Sequence, residues 1–213
     1  MIGRREDLKM SKFEEILKLM SHGSIIDHKL YVREGREVRF PDETLKRVNL
    51  IIERYPKGKE KSAVLPILHI AQEELGGYLS VDVMDYVASL LNIQPVEVYE
   101  VATFYTQYYL EKVGKYVVEV CRTGPCAMCG GEDIADYLEK KLQIKTDETT
   151  PDGLFTVRRV DCLGACGYAP VMQINTEFYE FLTKEKIDLI IDDLRAKANE
   201  DKPKEAKWVE KFF

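Results

Sequence analysis

The sequence predicts an α+β protein in which an N-terminal helical subdomain is followed by an α/β domain. Three observations support this class. Apolar residues recur at helical spacing after Pro41, a short β-branched run at Tyr116–Val120 marks a change of period, and further strands and helices follow that run. We divide the chain into an N-terminal extension (residues 1–39), the helical subdomain (40–112), the α/β domain (113–197) and a charged and aromatic C-terminal tail (198–213).

The two terminal segments have patterns unlike the rest of the chain. The extension has one amphipathic stretch, with apolar residues at Phe13, Ile16, Leu17 and Met20, and then becomes polar. We interpret it as loosely attached. The tail has too little apolar content to fold alone, so we expect a frayed terminus there.

Four helices are predicted in the helical subdomain. In the first, Leu45, Val48 and Ile52 share one face, and Pro56 is expected to end the helix. The second is expected to stop at a Gly-Gly pair, since glycine readily takes the left-handed conformation of a helix C-terminus. The other three predicted helices run from about Ser62 to Leu75, from Ser80 to about Leu91, and from Pro95 onward.

The α/β domain is predicted to begin with a strand that ends at Cys121. Gly130 and Gly131 then open a helix that runs through Leu142. The resulting order, β-α-β-β-β-α, is compatible with a small thioredoxin-like sheet covered by two helices. The remaining predicted elements are strands at residues 154–160, 171–174 and 178–181 and a closing helix at 184–197.

The cysteines carry the main functional signal. The chain has 5 cysteines, an odd number, and no export signal is seen, so metal or redox chemistry is favoured over a disulfide framework. Four of them form two pairs, each in a loop after a predicted strand, and both loops are expected to leave the same sheet edge. The pairs are Cys121-x4-Cys126 and Cys162-x3-Cys166.

Four thiolates suit either a 2Fe-2S cluster or zinc. Structural zinc sites usually use tighter spacings such as Cys-x2-Cys, so the spacing favours the cluster and leaves zinc as an alternative. Glycines around both pairs, Gly124 and Gly164 among them, would let backbone N–H groups approach the sulfurs. Arg122, Arg158 and Arg159 are expected to add positive charge nearby.

Two other kinds of site fit the sequence less well. A Rieske centre needs two histidine ligands, and His22, His28 and His69 all lie far upstream of the cysteine loops. A dithiol oxidoreductase would use Cys126 and Cys129, a Cys-x-x-Cys before a helix, but would leave the other cysteines without a role. We therefore interpret Cys129 as a spare thiol.

Composition argues against several function classes. The net charge of -6 is spread along the chain without a basic stripe, so nucleic acid is not an expected partner. No apolar run approaches the ~20 residues needed to span a bilayer, and the first ten residues lack a signal-peptide core, which predicts a cytoplasmic location without direct membrane insertion. Neither a G-x-G-x-x-G after a strand nor a P-loop is present, so no nucleotide site is expected.

Several longer motifs, in this order, resemble one known family. The chain is similar, from about Pro41 to Lys197, to the thioredoxin-like 2Fe-2S subunits of respiratory complex I, the NADH:quinone oxidoreductase. The motifs that carry the resemblance are Val101–Tyr105, Cys121-x4-Cys126, Glu148–Gly153, Asp161–Cys166 and Ala169–Ile174.

The resemblance implies a cofactor and partners. It implies a 2Fe-2S cluster on Cys121, Cys126, Cys162 and Cys166, which accepts one electron from the FMN of a partner subunit that also binds NADH. FMN and NAD are expected only on that partner, so the isolated chain should not oxidise NADH. The other complex I subunits would hold the chain at the cytoplasmic side of the inner membrane. The family also serves NAD-linked hydrogenases and formate dehydrogenases, which stay as alternatives.

Overall fold

The computed structural model describes residue 35 and residues 37–198. The amphipathic stretch predicted in the N-terminal extension lies outside the described residues, as does all of the predicted tail except Ala198. The described residues form two compact units. The first unit runs to Leu68 and resumes from Leu79 to Tyr105, and the second contains His69–Tyr78 and the chain from Thr106 onward. The domain boundary predicted after residue 112 stays a prediction.

The four predicted helices are present. They are α1 (Asp42–Ile52), α2 (Val64–Glu74), α3 (Val81–Leu91) and α4 (Pro95–Phe104), and a 3-10 turn, Glu60–Ala63, precedes α2. α1 ends before the predicted stop at Pro56, and the backbone of Glu53 caps it by donating to Asn49. Burial of Val48, Ile67, Leu79 and Val87 gives the first unit its apolar interior, at about 1.5–3 kcal/mol for each large aliphatic side chain.

Local sequence signals explain where these helices begin and end. The Ser80 hydroxyl accepts a hydrogen bond from the Val83 N–H at the start of α3. Gln94 and Glu97 form a capping box around Pro95, the first residue of α4. After α2, Gly77 takes a positive φ of 83° and its N–H donates to the Gln72 carbonyl, as predicted for the Gly-Gly stop.

The second unit contains a mixed four-stranded sheet in the order β2-β1-β3-β4. Strand β1 pairs in parallel with β2, whereas the pairs β1–β3 and β3–β4 are antiparallel. Because β1 and β2 are parallel, the residues that follow them emerge at the same end of the sheet, as predicted. The strands are β1 (Tyr116–Cys121), β2 (Phe155–Val160), β3 (Met172–Ile174) and β4 (Glu177–Tyr179).

One face of this sheet packs against two helices, α6 (Gly131–Leu142) and α7 (Lys184–Ala198). A short helix that the sequence did not predict, α5 (Pro125–Met128), precedes α6. The core between sheet and helices is aliphatic and aromatic, and fully buried members include Val118, Phe155, Val157, Leu138, Ile187 and Ile191. No helix within residues 37–198 has the length and apolar character that a membrane crossing requires.

The other face of the sheet is polar near its centre. Glu119 on β1 is buried opposite Arg158 on β2, and their side chains approach to 3.4 Å. The Arg158 guanidinium also donates to the Thr106 carbonyl and lies 5.3 Å from the ring centroid of Tyr109. Arg158 therefore ties the segment before β1 to the sheet.

The motif Glu148–Gly153 has a structural role in this sheet. The Thr150 N–H donates to the Phe155 carbonyl, and the Phe155 N–H donates back to the Thr150 hydroxyl. The Gly153 N–H closes the turn on the Thr150 carbonyl. The motif thus forms the tight turn that starts β2.

Candidate metal centre

Two loops that carry cysteines meet at the end of the parallel strands. The first cysteine loop (residues 121–129) begins with Cys121, the last residue of β1, and the second cysteine loop (residues 161–169) follows β2 directly. The Arg122 N–H donates to the Val160 carbonyl, and the Arg122 guanidinium lies 3.5 Å from the Asp161 carboxylate. The sheet therefore brings together cysteines that are far apart in the chain.

The first cysteine pair, Cys121 and Cys126, is buried. Gly124 makes a turn with a φ of 46°, and α5 then brings Cys126 back toward the strand. Both thiols are only 2% exposed and pack against Val171, whose carbonyl accepts the Cys121 N–H. The backbone thus fixes both sulfurs on one side of the site.

Gly131 explains why this loop can lie so close to the next helix. A Cβ at this position would lie 2.7 Å from the carbonyl oxygen of Cys121 and 2.9 Å from that of Cys126. Only glycine permits this approach, because the obstructing atoms are backbone. Its role is therefore close packing against both cysteine residues.

The second cysteine pair, Cys162 and Cys166, is exposed. Its two sulfurs lie 3.6 Å apart, and the Gly164 N–H donates to the Cys162 sulfur over 3.3 Å. Gly164 has a φ of 77°, a conformation that few other residues take, and Cys166 opens a 3-10 turn that ends at Tyr168. The glycine predicted to let an N–H reach a sulfur does so here.

Backbone N–H groups from both loops act on Cys121. Burial alone would raise the pKa of its thiol, but hydrogen bonds from the N–H groups of Thr123 and Leu163 hold that pKa below its usual value. Leu163 belongs to the second loop, so one loop stabilises a thiolate of the other.

Two other thiols, Cys126 and Cys166, have a raised pKa. Burial and the neighbouring Cys121 raise the pKa of Cys126, and the hydrogen bond and charge of Cys162 raise the pKa of Cys166. Adjacent thiolates repel one another unless a cation lies between them. This set of sulfur donors therefore suits a positively charged metal group.

The four thiols are arranged as two pairs, Cys121 with Cys126 and Cys162 with Cys166. In an all-cysteine 2Fe-2S cluster each iron takes two thiolates, so two pairs are compatible with such a cluster. A mononuclear zinc site would need all four around one point.

Two of the three arginines that were predicted to lie near the cysteine sulfurs form ion pairs with acidic side chains. The Arg159 guanidinium lies 2.6 Å from the Asp136 carboxylate and 2.8 Å from the Glu139 carboxylate on α6, and Arg158 pairs with Glu119. Of the three arginines proposed from the sequence, Arg122 is the one that borders both cysteine loops. Acidic side chains offset the charges of Arg158 and Arg159, and the expectation that these two arginines add positive charge near the sulfurs stays a prediction.

The remaining sequence candidates lie apart from the two pairs. Cys129 is exposed at the end of α5. His69 contacts the side chains of Gln107 and Tyr108, and burial lowers its pKa to about 4. His22 and His28 lie outside the described residues.

Sequence reasoning missed the residues that donate backbone N–H groups to sulfur. Thr123, Leu163 and Val171 do so through the main chain. Side-chain identity carries no signal for such a role. The available hint was position, since each lies in or just after a cysteine loop.

One protein-family profile and proteins from several organisms match this chain. The profile of the thioredoxin-like [2Fe-2S] ferredoxin family matches residues 48–195. One subunit of the NADH-quinone oxidoreductase of Rickettsia conorii is 47% identical over 156 residues, which are 73% of this chain and 93% of that protein. The mitochondrial NADH dehydrogenase [ubiquinone] flavoprotein 2 of Dictyostelium discoideum is 42% identical over 156 residues, 73% of this chain and 63% of that protein.

A solved structure shares the fold. An NAD+-reducing [NiFe]-hydrogenase in the air-oxidized state superposes with a TM-score of 0.56 at 21% identity. The match covers 63% of this chain and 23% of that chain. At this identity the likeness concerns the fold alone.

Proposed function

The chain belongs to the thioredoxin-like [2Fe-2S] ferredoxin family, and from that premise we propose that its two cysteine pairs hold one 2Fe-2S cluster. The observation that carries this proposal is the meeting of two thiol pairs, one from each loop, at the same end of β1 and β2. The ligands are Cys121, Cys126, Cys162 and Cys166.

We infer that the chain is the electron-transfer subunit of an NADH:quinone oxidoreductase. The relatives that support this role are named as subunits of NADH-quinone oxidoreductase, and the one from Rickettsia conorii is covered over 93% of its length. In this role the chain assembles with an FMN- and NADH-binding subunit, called the flavoprotein subunit below, and with other complex I subunits. Through that complex it is held at the cytoplasmic side of the inner membrane.

A partner with a flavin is needed for a chemical reason. A 2Fe-2S cluster exchanges one electron at a time, whereas NADH gives up a hydride, so a flavin must separate the two electrons. The chain has neither a G-x-G-x-x-G after a strand nor a P-loop with which to bind the nucleotide itself. We therefore assign NADH and FMN to the flavoprotein subunit.

The residues of this chain would hold the cluster and tune its potential. Backbone N–H groups of Thr123, Leu163 and Gly164 donate to the sulfurs and offset their negative charge. Burial of the first cysteine pair keeps water from that side. The exposed second pair is then the side from which electrons enter and leave.

Two other candidate functions have weaker support. An NAD-linked hydrogenase or formate dehydrogenase would use the same cluster, but the hydrogenase likeness is one of fold, whereas the 47% identical relative is an NADH-quinone oxidoreductase subunit. A dithiol oxidoreductase needs an accessible thiol of lowered pKa, and Cys126 is buried with a raised pKa.

Metal analysis tests the cofactor. The purified chain should contain iron and acid-labile sulfide in equal amounts, about two of each per chain, and no stoichiometric zinc. One zinc per chain without labile sulfide, unchanged after reconstitution with iron and sulfide, would end the electron-carrier proposal.

Reduction by NADH tests the division of labour. Alone, the oxidised chain should give no EPR signal of a reduced cluster after NADH is added, although dithionite should produce one. Addition of the purified flavoprotein subunit should allow NADH to reduce the cluster. Rapid reduction by NADH without any flavoprotein would refute the assignment of the flavin to a partner.

A further inference from the structure

An exposed pair of aromatic side chains lies beside the second cysteine loop. Tyr168 ends the 3-10 turn that begins at Cys166, and it is 50% exposed. Phe181, which follows β4, is 58% exposed and packs edge-to-face on Tyr168 with 5.8 Å between ring centroids. We call Tyr168 and Phe181 the aromatic pair.

The backbone holds Phe181 in an unfavourable conformation. Its φ is 47°, in the left-handed region that bulky residues rarely take. Its N–H donates to the Tyr168 carbonyl at 2.9 Å, and the next residue, Leu182, is buried and donates its N–H to the Pro170 carbonyl. The Phe181 ring is therefore preorganised on the surface rather than packed in the core.

We propose that the aromatic pair is a contact site for the flavoprotein subunit. This inference rests on the proposed function, which has electrons enter through the exposed thiols Cys162 and Cys166. Electron transfer weakens steeply with distance, so the donor must cover this edge of the site. A protein that covers Cys166 also covers Tyr168, two residues further along the same 3-10 turn.

The chemistry around the aromatic pair suits a protein partner. Aromatic side chains bury a large area while losing few rotamers, and they are enriched at the centres of protein interfaces. The exposed ion pair between Arg122 and Asp161 joins the two cysteine loops and offers polar groups to a protein that covers both loops. Rigid placement of the Phe181 ring lowers the entropy lost on binding.

Replacement of Phe181 by asparagine separates a binding role from a structural one. Asparagine takes the left-handed conformation more readily than phenylalanine, so the thermal midpoint of Phe181→Asn should stay the same or rise. Its affinity for the purified flavoprotein subunit should fall about tenfold or more, measured by calorimetry. The EPR spectrum after dithionite reduction should not change.

Two further variants sharpen the test. Tyr168→Ala should also weaken binding, and its effect should not add to that of Phe181→Asn, because the two rings touch. Leu189→Ala is the control, since Leu189 is 72% exposed on α7, an element without cysteines. Its affinity should equal that of the wild type.

The outcomes distinguish this inference from the proposed function. Wild-type affinity in Phe181→Asn, with normal reduction by NADH and flavoprotein, would overturn the contact site and leave the function standing. A wild-type chain with an intact cluster that the flavoprotein and NADH never reduce would overturn both. Loss of the cluster spectrum in Phe181→Asn would show that the aromatic pair stabilises the second cysteine loop rather than binding a partner. If the wild-type chain proves to be a dimer and Phe181→Asn a monomer with unchanged flavoprotein affinity, the aromatic pair is instead a contact between two copies of this chain. Either of these last two results would overturn the inference.

Discussion

The two cysteine loops leave the same end of the sheet, but the first buries its thiols and the second leaves its thiols exposed. Both thiols of the first pair are 2% exposed, whereas both thiols of the second pair are exposed. The difference follows from the chain after each pair. The first loop turns into α5 and is closed by Gly131 at the start of α6, while the second continues in a single 3-10 turn. Under the proposed function, one pair anchors the cluster and the other gives access to it.

Under the proposed ligand assignment, loss of one cysteine from each pair should have the largest effect, and that effect should differ between the pairs. Cys126→Ser places a hydroxyl in a buried position, which costs about 1–3 kcal/mol of folding free energy if unpaired, and burial of this residue disfavours water as a replacement ligand. Cys166→Ser leaves an exposed position that water can fill. We expect nearly complete loss of iron and labile sulfide in Cys126→Ser and partial retention in Cys166→Ser. Equal retention of iron in both variants would contradict the buried and exposed assignment.

A glycine-to-alanine substitution should destabilise the protein beside the first cysteine loop but not in the second cysteine loop. Gly131→Ala forces a Cβ against the carbonyl oxygens of Cys121 and Cys126, and such overpacking costs about 1–3 kcal/mol. Gly167→Ala is the matched control, because no atom lies within 4 Å of its added Cβ. Its unfolding free energy should stay within about 0.5 kcal/mol of wild type. Chemical denaturation measures both, and a stable Gly131→Ala would show that the first loop is less rigid than its packing implies.

Gly164→Ala should have a smaller effect on stability and a measurable effect on potential. Its φ of 77° disfavours a residue with a Cβ by about 1–2 kcal/mol. If the backbone relaxes, the N–H that donates to the Cys162 sulfur moves away, and a negatively charged reduced cluster loses that stabilisation. The reduction potential should therefore fall, as measured by redox titration with EPR. An unchanged potential together with lost stability would remove Gly164 from the tuning role.

Cys129→Ser should have the smallest effect of all. Cys129 is exposed and lies outside both pairs, so cluster content, spectrum and unfolding free energy should match the wild type within about 0.5 kcal/mol. The measurement is iron analysis with EPR and thermal unfolding. Robust disulfide reduction by the wild type, abolished by this change, would instead support the dithiol oxidoreductase.

Physical reasons explain which secondary-structure elements were predicted correctly from the sequence and which were not. Helices α1 to α4 were predicted because capping residues and a glycine stop act locally, as at Ser80 and Gly77. The fourth strand was predicted to reach Phe181 but ends at Tyr179, because Phe181 turns into the left-handed region and bonds to Tyr168. Tertiary contacts override the strand propensity of an aromatic residue there.

The short helix α5 was missed for a related reason. Its four residues, Pro125–Met128, are too few to show an apolar period. The fold of that segment depends on Gly124, which turns the chain, and on the space left by Gly131. Neither effect is visible as a repeating pattern.

The class of the fold, the parallel exit of both loops and the four candidate ligands could all be inferred from the amino-acid sequence. These depend on periodicity, on residue chemistry and on the order of elements, all of which are local or topological properties. Folding in three dimensions added that one thiol pair is buried and the other exposed, that N–H groups of Thr123 and Leu163 act on Cys121, and that Arg159 pairs with α6. Burial and hydrogen bonding are set by residues distant in the chain, which meet only when the sheet has formed.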